Sequence, residues 1–479
     1  MPNNDNEKRI SSDTTPDEHH GQDLTRGPIG RQLWQLAWPI MLSIFFYTLY
    51  NIVDTFWVSK ISAEAIAAVS ISQIALFIMV ALSMGITVGS GVVMSMHIGA
   101  KNIKEAERIL GQSFVLSGIL ALFFTVISLI WREPVLIASG ASGLVFAPAL
   151  EYFTITAAGS ILIFIMMTIV FAYNAQGDNF TTTKLFAVST LVNTILDPIL
   201  IFGWFGLPEL GIAGAAIATL ISQAIFIIIA MYFLASEKMM IPFRLSNLTI
   251  RLESVKKVLN IGLPAALTQV INPIGAAALL FITARSFAEA GTVAFSIGFR
   301  IEFFAYLPAI GFGFGSMALI GQNMGAGNFT RAREAFNKAL IYGIGTAIAI
   351  GFLAILAAPM IAHIFTTDPI VTQYVNSYIL YIALSYGFLA AMMVVVSGFQ
   401  AIGRSWPGFW LYIIRFTLVS IPVSYLLTIV YDLPIESLWI AIAAGNVVSA
   451  LVGYLWIMRT FNNMKEIDVP VHPEQPVVI

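Results

Sequence analysis

The stretch Ile98-Gly99-Ala100-Lys101-Asn102 recurs 226 positions later as Met324-Gly325-Ala326-Gly327-Asn328. Two more segments repeat at that same offset, and two single residues repeat at an offset of 225. The further pairs are Gly89-Ser90 with Gly315-Ser316, Asn174–Gly177 with Gln400–Gly403, Pro39 with Pro264 and Glu64 with Glu289. Several matches that share one period predict that the chain is two copies of one ancestral unit.

The composition predicts that this unit lies in a membrane. The chain is 58% hydrophobic and 10% charged, whereas soluble domains are roughly 45–50% apolar and about 25% charged. Apolar runs such as Ser113–Trp131 and Ala339–Met360 are continuous, which favours helices over the alternating pattern of a β-barrel. Cysteine is absent and the net charge is −2. These values exclude disulfides and thiolate chemistry, and nothing in them points to nucleic acid.

Dividing the apolar runs at their polar breaks predicts an all-α polytopic protein with twelve spans in two six-helix bundles. Most runs reach or exceed the ~20 residues that a span needs. The predicted spans cover residues 33–58, 65–97, 108–131, 147–173, 183–204, 211–235, 255–285, 291–320, 335–358, 371–401, 406–430 and 436–459.

Lysine and arginine set the predicted orientation. Nineteen of them fall on one side of the twelve spans and three on the other, so both termini are expected to be cytoplasmic in a multi-pass inner (plasma) membrane protein. The predicted organisation is a disordered cytoplasmic tail (1–30), an N-lobe (31–235), a cytoplasmic linker (236–257), a C-lobe (258–460) and a second cytoplasmic tail (461–479).

Six spans in each half give the two halves the same orientation. Parallel repeats of this kind are related by an axis along the membrane normal, as in transporters whose two bundles rock around a central site. The substrate is therefore expected between the lobes or in a cavity within one of them.

Positions at which the two halves differ indicate where one half has become specialised. Asp54 in span 1 and Asp197 in span 5 have apolar counterparts in the second half. A carboxylate at bilayer depth costs roughly 2.5–3.5 kcal/mol on insertion scales, so a functional role is the default hypothesis. Asn193 lies one helical turn before Asp197 and is placed to hydrogen-bond it or to offer an oxygen to Na⁺. An interfacial helix-end charge is the alternative for Asp54.

The second half has its own charges inside predicted spans. Arg300 and Glu302 lie in span 8 and Arg415 lies in span 11. Residues two apart on a helix do not face each other, so Glu302 with Arg415 is a candidate ion pair, either structural or substrate-binding. Pro39 and its counterpart Pro264 predict bends in spans 1 and 7, either static or mobile.

The sequence resembles the multidrug and toxic compound extrusion family from about Leu33 to Arg459. Four segments carry the resemblance: Tyr50–Val58, Asn193–Ile199, Gly211–Thr219 and Gly321–Ala326. It implies two six-helix lobes and export of cationic or amphipathic drugs in exchange for H⁺ or Na⁺. The acids in the first half look like the DinF-like branch. The position that matches the acidic span 7 site of the NorM-like branch is Asn272, and span 10 has no acid.

By motif match, the resemblance places a proton or Na⁺ coupling site at Asp54, Asn193, Asp197 and Thr219, and a bending site at Pro39. Candidate residues of the substrate cavity are Tyr50, Tyr152, Met166, Met167 and Asn174. Aromatic and methionine side chains suit flat lipophilic cations, although packing against lipid is the alternative.

The sequence thus predicts a secondary active multidrug efflux transporter that works by alternating access. We expect it to be a monomer surrounded by lipid, with small organic cations as its partners, no catalytic residues and no cofactor beyond the coupling ion. The alternatives are a flippase for lipid-linked oligosaccharides and a non-transporting receptor or scaffold. A flippase usually needs a cationic cavity for pyrophosphate, and only Arg300 and Arg415 are available within the spans.

Overall fold

The computed structural model describes residues 21–464, and these are almost entirely helical. The predicted tail segments 1–20 and 465–479 lie outside this range. Polar caps begin several helices: Ser62 accepts from the Ala65 amide, and Asp178 accepts from the Thr181 amide. The helices that cross the membrane are Ile29–Val58, Ala63–Gly99, Ile103–Ile130, Phe146–Ala158 with Ser160–Ala175, Asn179–Phe202, Gly211–Leu234, Leu252–Gly325, Phe329–Phe365, Pro369–Ala383 with Tyr386–Ala401, Trp406–Val430 and Glu436–Asn462.

These helices make twelve spans, as the sequence predicts. Across residues 21–464, nine helices are long and apolar enough to cross a membrane, and two bent pairs raise the number to eleven. The helix Leu252–Gly325 has 74 residues and would be about 110 Å long at about 1.5 Å per residue, whereas the hydrocarbon core is about 30 Å thick. It breaks at Ala288, where φ is 49° and ψ is −143°, and therefore supplies spans 7 and 8.

Bends and breaks are where the structure departs from the sequence prediction. Spans 4 and 10, predicted as single helices, bend by 49° and 52° at equivalent places in the two halves. The predicted loop between spans 7 and 8 is reduced to the break at Ala288. An extra short helix, Arg132–Ala138, follows span 3. Span 11 contains two π-helical segments, Ile413–Ser420 and Leu426–Val430.

The two lobes, spans 1–6 and spans 7–12, meet where glycine lets backbones approach each other. A Cβ on Gly99 would clash with the backbone of Gln322, and a Cβ on Gly325 would clash with the backbone of Met96. Each contact is the repeat equivalent of the other, so the pseudo-twofold axis passes between them. These contacts lie at the ends of spans 2 and 8 that the sequence predicts to be cytoplasmic, so the lobes are joined on that side.

A second pair of equivalent contacts extends the lobe seam towards the membrane interior. Gly89 of span 2 packs on Val258 and Gly262 of span 7, while Gly315 of span 8 packs on Ala37 of span 1. Small residues at helix crossings allow the close van der Waals packing that joins helices in lipid. Backbone contacts at glycines therefore contribute to holding the lobes together.

The segment 21–28, here called the amino-terminal strap, corrects the prediction that disorder extends to residue 30. Leu24 is fully buried, and its backbone N–H donates to Gln322 Oε1 at 2.9 Å. Its carbonyl oxygen accepts from Asn323 Nδ2 at 3.0 Å, while the Gln22 N–H donates to the carbonyl of Gln176 at 2.9 Å. One buried leucine, two amide side chains of the C-lobe and a backbone carbonyl of the N-lobe thus fix a segment whose polar composition predicts a tail.

Candidate functional site

Span 5 brings Asp197 and Asn193 together inside the N-lobe. Both side chains are completely buried, and Asn193 Nδ2 donates to Asp197 Oδ1 at 3.0 Å. This is the contact that their spacing of one helical turn predicts. The Asn193 amide therefore hydrogen-bonds Oδ1 of the carboxylate and does not bond Oδ2.

Asp54 of span 1 lies in the same region. Its side chain is only 2% exposed, which argues against the alternative of a solvated helix-end charge. It is close enough to Asp197 for the two charges to oppose each other. Tyr50 and Tyr152 lie within electrostatic reach of both carboxylates. The structure thus gathers side chains from spans 1, 4 and 5 around one acidic pair.

The oxygen atoms of this cluster are only partly hydrogen-bonded. Within residues 21–464, several buried oxygens have no hydrogen-bond partner. A buried polar atom left unsatisfied costs about 1–3 kcal/mol, so a proton or a cation bound here would offset that cost. The atoms are Asp54 Oδ1, Asp197 Oδ2 and Asn193 Oδ1. The hydroxyls of Thr219 and Tyr50 lie close to each other in the same cluster and bond no other group in the described part of the chain. Carboxylate, amide and hydroxyl oxygens are the donors that hard cations prefer.

Three adjoining cavities surround this cluster and divide the predicted cavity residues among them. The largest, about 400 Å³, is lined by Asp54, Tyr50, Tyr152 and Thr219. A second, about 190 Å³, is lined by Met167 and Asn174, and a small one of about 20 Å³ is lined by Met166. Asp197 and Asn193 line none of the three and are completely buried.

Tyr47 lines all three cavities, yet the sequence did not single it out. Its ring stacks on Tyr50 with centroids 6.5 Å apart and planes 4° apart. Gln73 and Gln223, in spans 2 and 6, also line the largest cavity and were missed. A glutamine within an apolar run could have identified these two positions from the sequence, because uncharged polar groups at bilayer depth also need hydrogen-bond partners.

The described lining of these cavities carries negative charge and no positive charge. Among the described residues that line the three cavities, Asp54 is the single charged side chain. The surroundings are otherwise aromatic, methionine and aliphatic, with amides and hydroxyls. Such a space is suited to an apolar ligand with a positive charge, since a cation is attracted both by the carboxylate and by the faces of the aromatic rings.

The C-lobe holds its charges differently. Arg415 Nη2 lies 3.7 Å from Glu302 Oε1, which confirms the predicted pairing, and both side chains are 3% exposed. Tyr378 donates to Glu302 Oε2 at 2.8 Å, and Arg415 donates to Tyr306 at 3.2 Å. Arg300 is exposed and takes no part. This cluster neutralises its own charge and lines none of the three N-lobe cavities.

Comparison with known proteins identifies the same repeat. The MatE family model matches the chain twice, over residues 39–199 and 264–426. The two matches begin 225 positions apart, which is the offset between Pro39 and Pro264.

Two curated relatives cover nearly the whole chain. An FAD transporter from Shewanella oneidensis is 27% identical over 94% of this chain and 98% of its own. A probable multidrug resistance protein NorM from Thermotoga maritima is 24% identical over 90% of this chain and 92% of its own.

Solved structures agree on the fold. A superfamily transporter from Pyrococcus furiosus, described as having a binding pocket of reverse polarity, aligns with a TM-score of 0.86 at 25% identity. That alignment covers 94% of this chain and 99% of the other. The outward-facing conformation of a multidrug resistance transporter aligns with a TM-score of 0.86 at 26% identity, covering 92% and 98%.

Proposed function

The chain belongs to the MatE family of membrane transporters, and from that premise we propose that it exports cationic or amphipathic small molecules in exchange for H⁺ or Na⁺. Its coupling site is the cluster of Asp54, Asn193, Asp197 and Thr219 in the N-lobe. Acids in the first lobe support placement in the DinF-like branch. The transporter works as a monomer in the inner membrane, with both termini in the cytoplasm.

One observation carries this proposal: a single acidic charge, Asp54, lies in the wall of an otherwise uncharged aromatic cavity. An organic cation and the coupling ion are attracted by the same carboxylate, so the binding of one disfavours the binding of the other. Competition of this kind is the minimum chemistry that antiport requires. The stacked rings of Tyr47 and Tyr50 offer an extended face to a flat substrate.

An anionic substrate is the second candidate, because one relative is an FAD transporter. A dinucleotide or a lipid pyrophosphate carries negative charge and needs Lys or Arg in its site. Within residues 21–464, none of the residues that line the three cavities is basic, and Arg415 is already paired with Glu302. This lining favours a cation over FAD or an oligosaccharide lipid. A receptor or scaffold would have no need for two carboxylates buried beside a cavity.

The cycle follows from the lobe contacts. With the predicted cytoplasmic ends joined at Gly99 and Gly325, substrate leaves towards the outside as H⁺ or Na⁺ binds the carboxylates. The lobes then separate on the inner side, the ion dissociates, and a new substrate enters from the cytoplasm or the inner leaflet.

The test is drug transport in everted membrane vesicles under an imposed pH gradient and, separately, under an imposed Na⁺ gradient. We expect one gradient to drive transport, and Asp54→Asn and Asp197→Asn each to abolish the dependence on it. Asp368→Asn is the matched control, because Asp368 is an acid outside the spans whose capping contacts an asparagine also makes. Full gradient-driven exchange in both N-lobe variants would overturn the proposal.

A further inference from the structure

A further cavity, here called the C-lobe cavity, lies at the lobe seam between spans 2, 7, 8, 10 and 11 and has a volume of about 50 Å³. It is the repeat equivalent of the N-lobe cavity of about 190 Å³. At the repeat offsets of 225 and 226, most residues that line the N-lobe cavity correspond to residues that line this one. The pairs include Ser43 with Thr268, Met167 with Met393 and Asn174 with Gln400.

The two equivalent cavities differ in chemistry. Three apolar residues of the N-lobe cavity are replaced in the C-lobe cavity by residues that form hydrogen bonds: Ile44 by Gln269, Phe171 by Ser397 and Phe186 by Tyr412. Among the described residues that line the C-lobe cavity, none is charged. Hydroxyl and amide groups without a charge suit a neutral ligand group such as an amide, a carbonyl or a hydroxyl. The cavity has room for a few atoms, since a single water needs roughly 10–15 Å³.

The polar side chains of the C-lobe cavity keep unused hydrogen-bonding capacity. Ser397, Gln400 and Tyr412 are 7%, 6% and 5% exposed, and within residues 21–464 their side chains hydrogen-bond no other protein group. Gln269 Nε2 donates to the sulfur of Met84 at 3.3 Å, and a thioether is a weak acceptor. Buried polar side chains normally have partners, so three without a protein partner around one cavity point to a ligand.

The C-lobe cavity lies at one end of a row of cavities that begins at Asp54. Val80 lines both the largest cavity, which Asp54 also lines, and the N-lobe cavity of about 190 Å³. Met84 and Phe314 line both that cavity and the C-lobe cavity. Neighbouring cavities in the row are thus separated by single side chains, of which methionine is unbranched and adapts readily to a ligand.

One face of span 2 follows this row from end to end. Leu76 lines the largest cavity and Val88 lines the C-lobe cavity, with Val80 and Met84 between them at intervals of four residues. Residues four apart lie on the same side of a helix. From Leu76 to Val88 the row extends about 18 Å, at about 1.5 Å per residue. Its chemistry changes along this length from acidic, through apolar, to neutral and hydrogen-bonding.

We propose that the C-lobe cavity is a second substrate subsite, which binds a neutral hydrogen-bonding group of a molecule whose cationic end lies near Asp54. The substrates are then elongated, with a cation at one end, an apolar middle part, and an amide, carbonyl or hydroxyl group at the other end. The apolar part lies in the N-lobe cavity of about 190 Å³. This inference rests on the proposed export of organic cations and narrows its substrate class.

The test compares two cations that differ only at one end. Decyltriphenylphosphonium has a positive charge and a long apolar chain, and its partner carries a carboxamide at the end of that chain. Displacement of radiolabelled tetraphenylphosphonium from the purified full-length protein gives the affinity of each. The measured quantity is the ratio of the two affinities, because partition into detergent is the same for every variant and cancels. The corresponding propyl pair is too short for the row and should give one ratio in all variants.

Three variants remove the hydrogen-bonding groups and nearly keep the side-chain shapes: Ser397→Ala, Gln400→Met and Tyr412→Phe. A net hydrogen bond corresponds to roughly a two- to tenfold change in an equilibrium constant, so we expect the carboxamide ratio to fall by about that factor in at least one of them. The affinity for decyltriphenylphosphonium itself is expected to stay nearly unchanged, which also shows that the variant is folded.

Tyr386→Phe is the matched control. Tyr386 is a completely buried tyrosine of the same lobe, and its hydroxyl has no hydrogen-bond partner among the described residues. It lines neither the C-lobe cavity nor the three N-lobe cavities, so the carboxamide ratio should not change. An equal fall in Tyr386→Phe would overturn the inference. An unchanged ratio in all three cavity variants would do so too, and would show that the C-lobe cavity holds only water.

Tetraphenylphosphonium has no hydrogen-bonding group, so its own binding distinguishes the two proposals. If neither H⁺ nor Na⁺ displaces it and Asp54→Asn binds it as tightly as the unmodified protein, the antiport proposal itself is wrong. If the ion displaces it and the carboxamide ratio is unchanged in all three cavity variants, the antiport proposal holds and the second subsite alone fails.

Discussion

The N-lobe and the C-lobe share one scaffold and use its interior in opposite ways. At the repeat offset of 226, residues Leu76, Val80 and Tyr152, which line the large N-lobe cavity, correspond to Glu302, Tyr306 and Tyr378. Glu302 is charged and Tyr306 is larger than its counterpart, while Tyr378 keeps the tyrosine of Tyr152. In the C-lobe, Tyr378 donates to Glu302, and Arg415 contacts both Glu302 and Tyr306. Ser189 of the N-lobe corresponds to Arg415 itself.

The two lobes differ in whether their buried carboxylates have a basic side chain as a partner. Buried carboxylate oxygens without a hydrogen-bond partner occur in both lobes, at Asp54 and Asp197 and also at Glu302 Oε1. Asp54 faces a cavity whose described lining has no basic residue. The C-lobe carboxylate is held by an arginine and a tyrosine within packed aromatic side chains. A duplicated fold can therefore hold carboxylates without a basic partner in one copy and a buried ion pair in the other without a change of topology.

The sharpest way to break the comparison is to remove one partner of the C-lobe pair. Arg415→Leu leaves Glu302 buried and uncompensated, which we expect to destabilise the protein by about 3–5 kcal/mol. Replacing both residues with leucine should recover most of that loss. Thermal unfolding of the purified protein in detergent measures both effects.

Vesicle transport by the double variant then decides the role of the pair. A structural pair predicts an unchanged ion dependence once the fold is restored. A double variant that folds well and has lost its ion dependence would show that the C-lobe takes part in coupling.

The glycines of the seam test whether the two halves contribute equally to closure. Gly99→Ala and Gly325→Ala each push a methyl group into the backbone of the opposite lobe, and we expect a loss of about 1–3 kcal/mol from each closed contact. Crosslinking between cysteines placed on the two sides of the seam measures the closed fraction. Gly118→Ala is the control, because nothing lies within 4 Å of a Cβ at that position. Unequal losses at the two glycines would show that closure is asymmetric.

The smallest expected effect concerns how the two halves begin equivalent helices. Span 2 starts with a Ser62 side chain that accepts from the Ala65 amide at 3.1 Å, whereas span 8 starts at the break near Ala288. Ser62→Ala removes the cap and should cost about 1 kcal/mol. Thermal unfolding with Ser59→Ala as the comparison checks this, since the Ser59 hydroxyl donates to the Phe56 carbonyl at a helix end and caps no amide.

Much of this architecture follows from the sequence for simple reasons. Bilayer thickness sets the length of each span, so twelve apolar runs give twelve spans. The cost of burying a carboxylate marks Asp54 and Asp197 as exceptional, and helical periodicity joins Asp197 to Asn193. These rules act on one residue or one helix at a time, which is why they work without any knowledge of packing.

The features that the sequence did not reveal depend on contacts between helices. At the bend near Gly159, span 4 packs against Leu220 of span 6. No sequence pattern within span 4 predicts this bend. Tyr47 lines three cavities because spans 1, 2, 4 and 5 converge around it. The strap is ordered because Leu24 meets Gln322, nearly three hundred residues away.

The crossings at Gly99 and Gly325 have a consequence for the entropy of joining the lobes. Backbone meets backbone there with no side chain between them, so these two contacts freeze no rotamers, whereas interlocked leucines would lose roughly 0.5–1 kcal/mol of conformational entropy each. The seam at this end of spans 2 and 8 therefore forms at little cost in side-chain freedom.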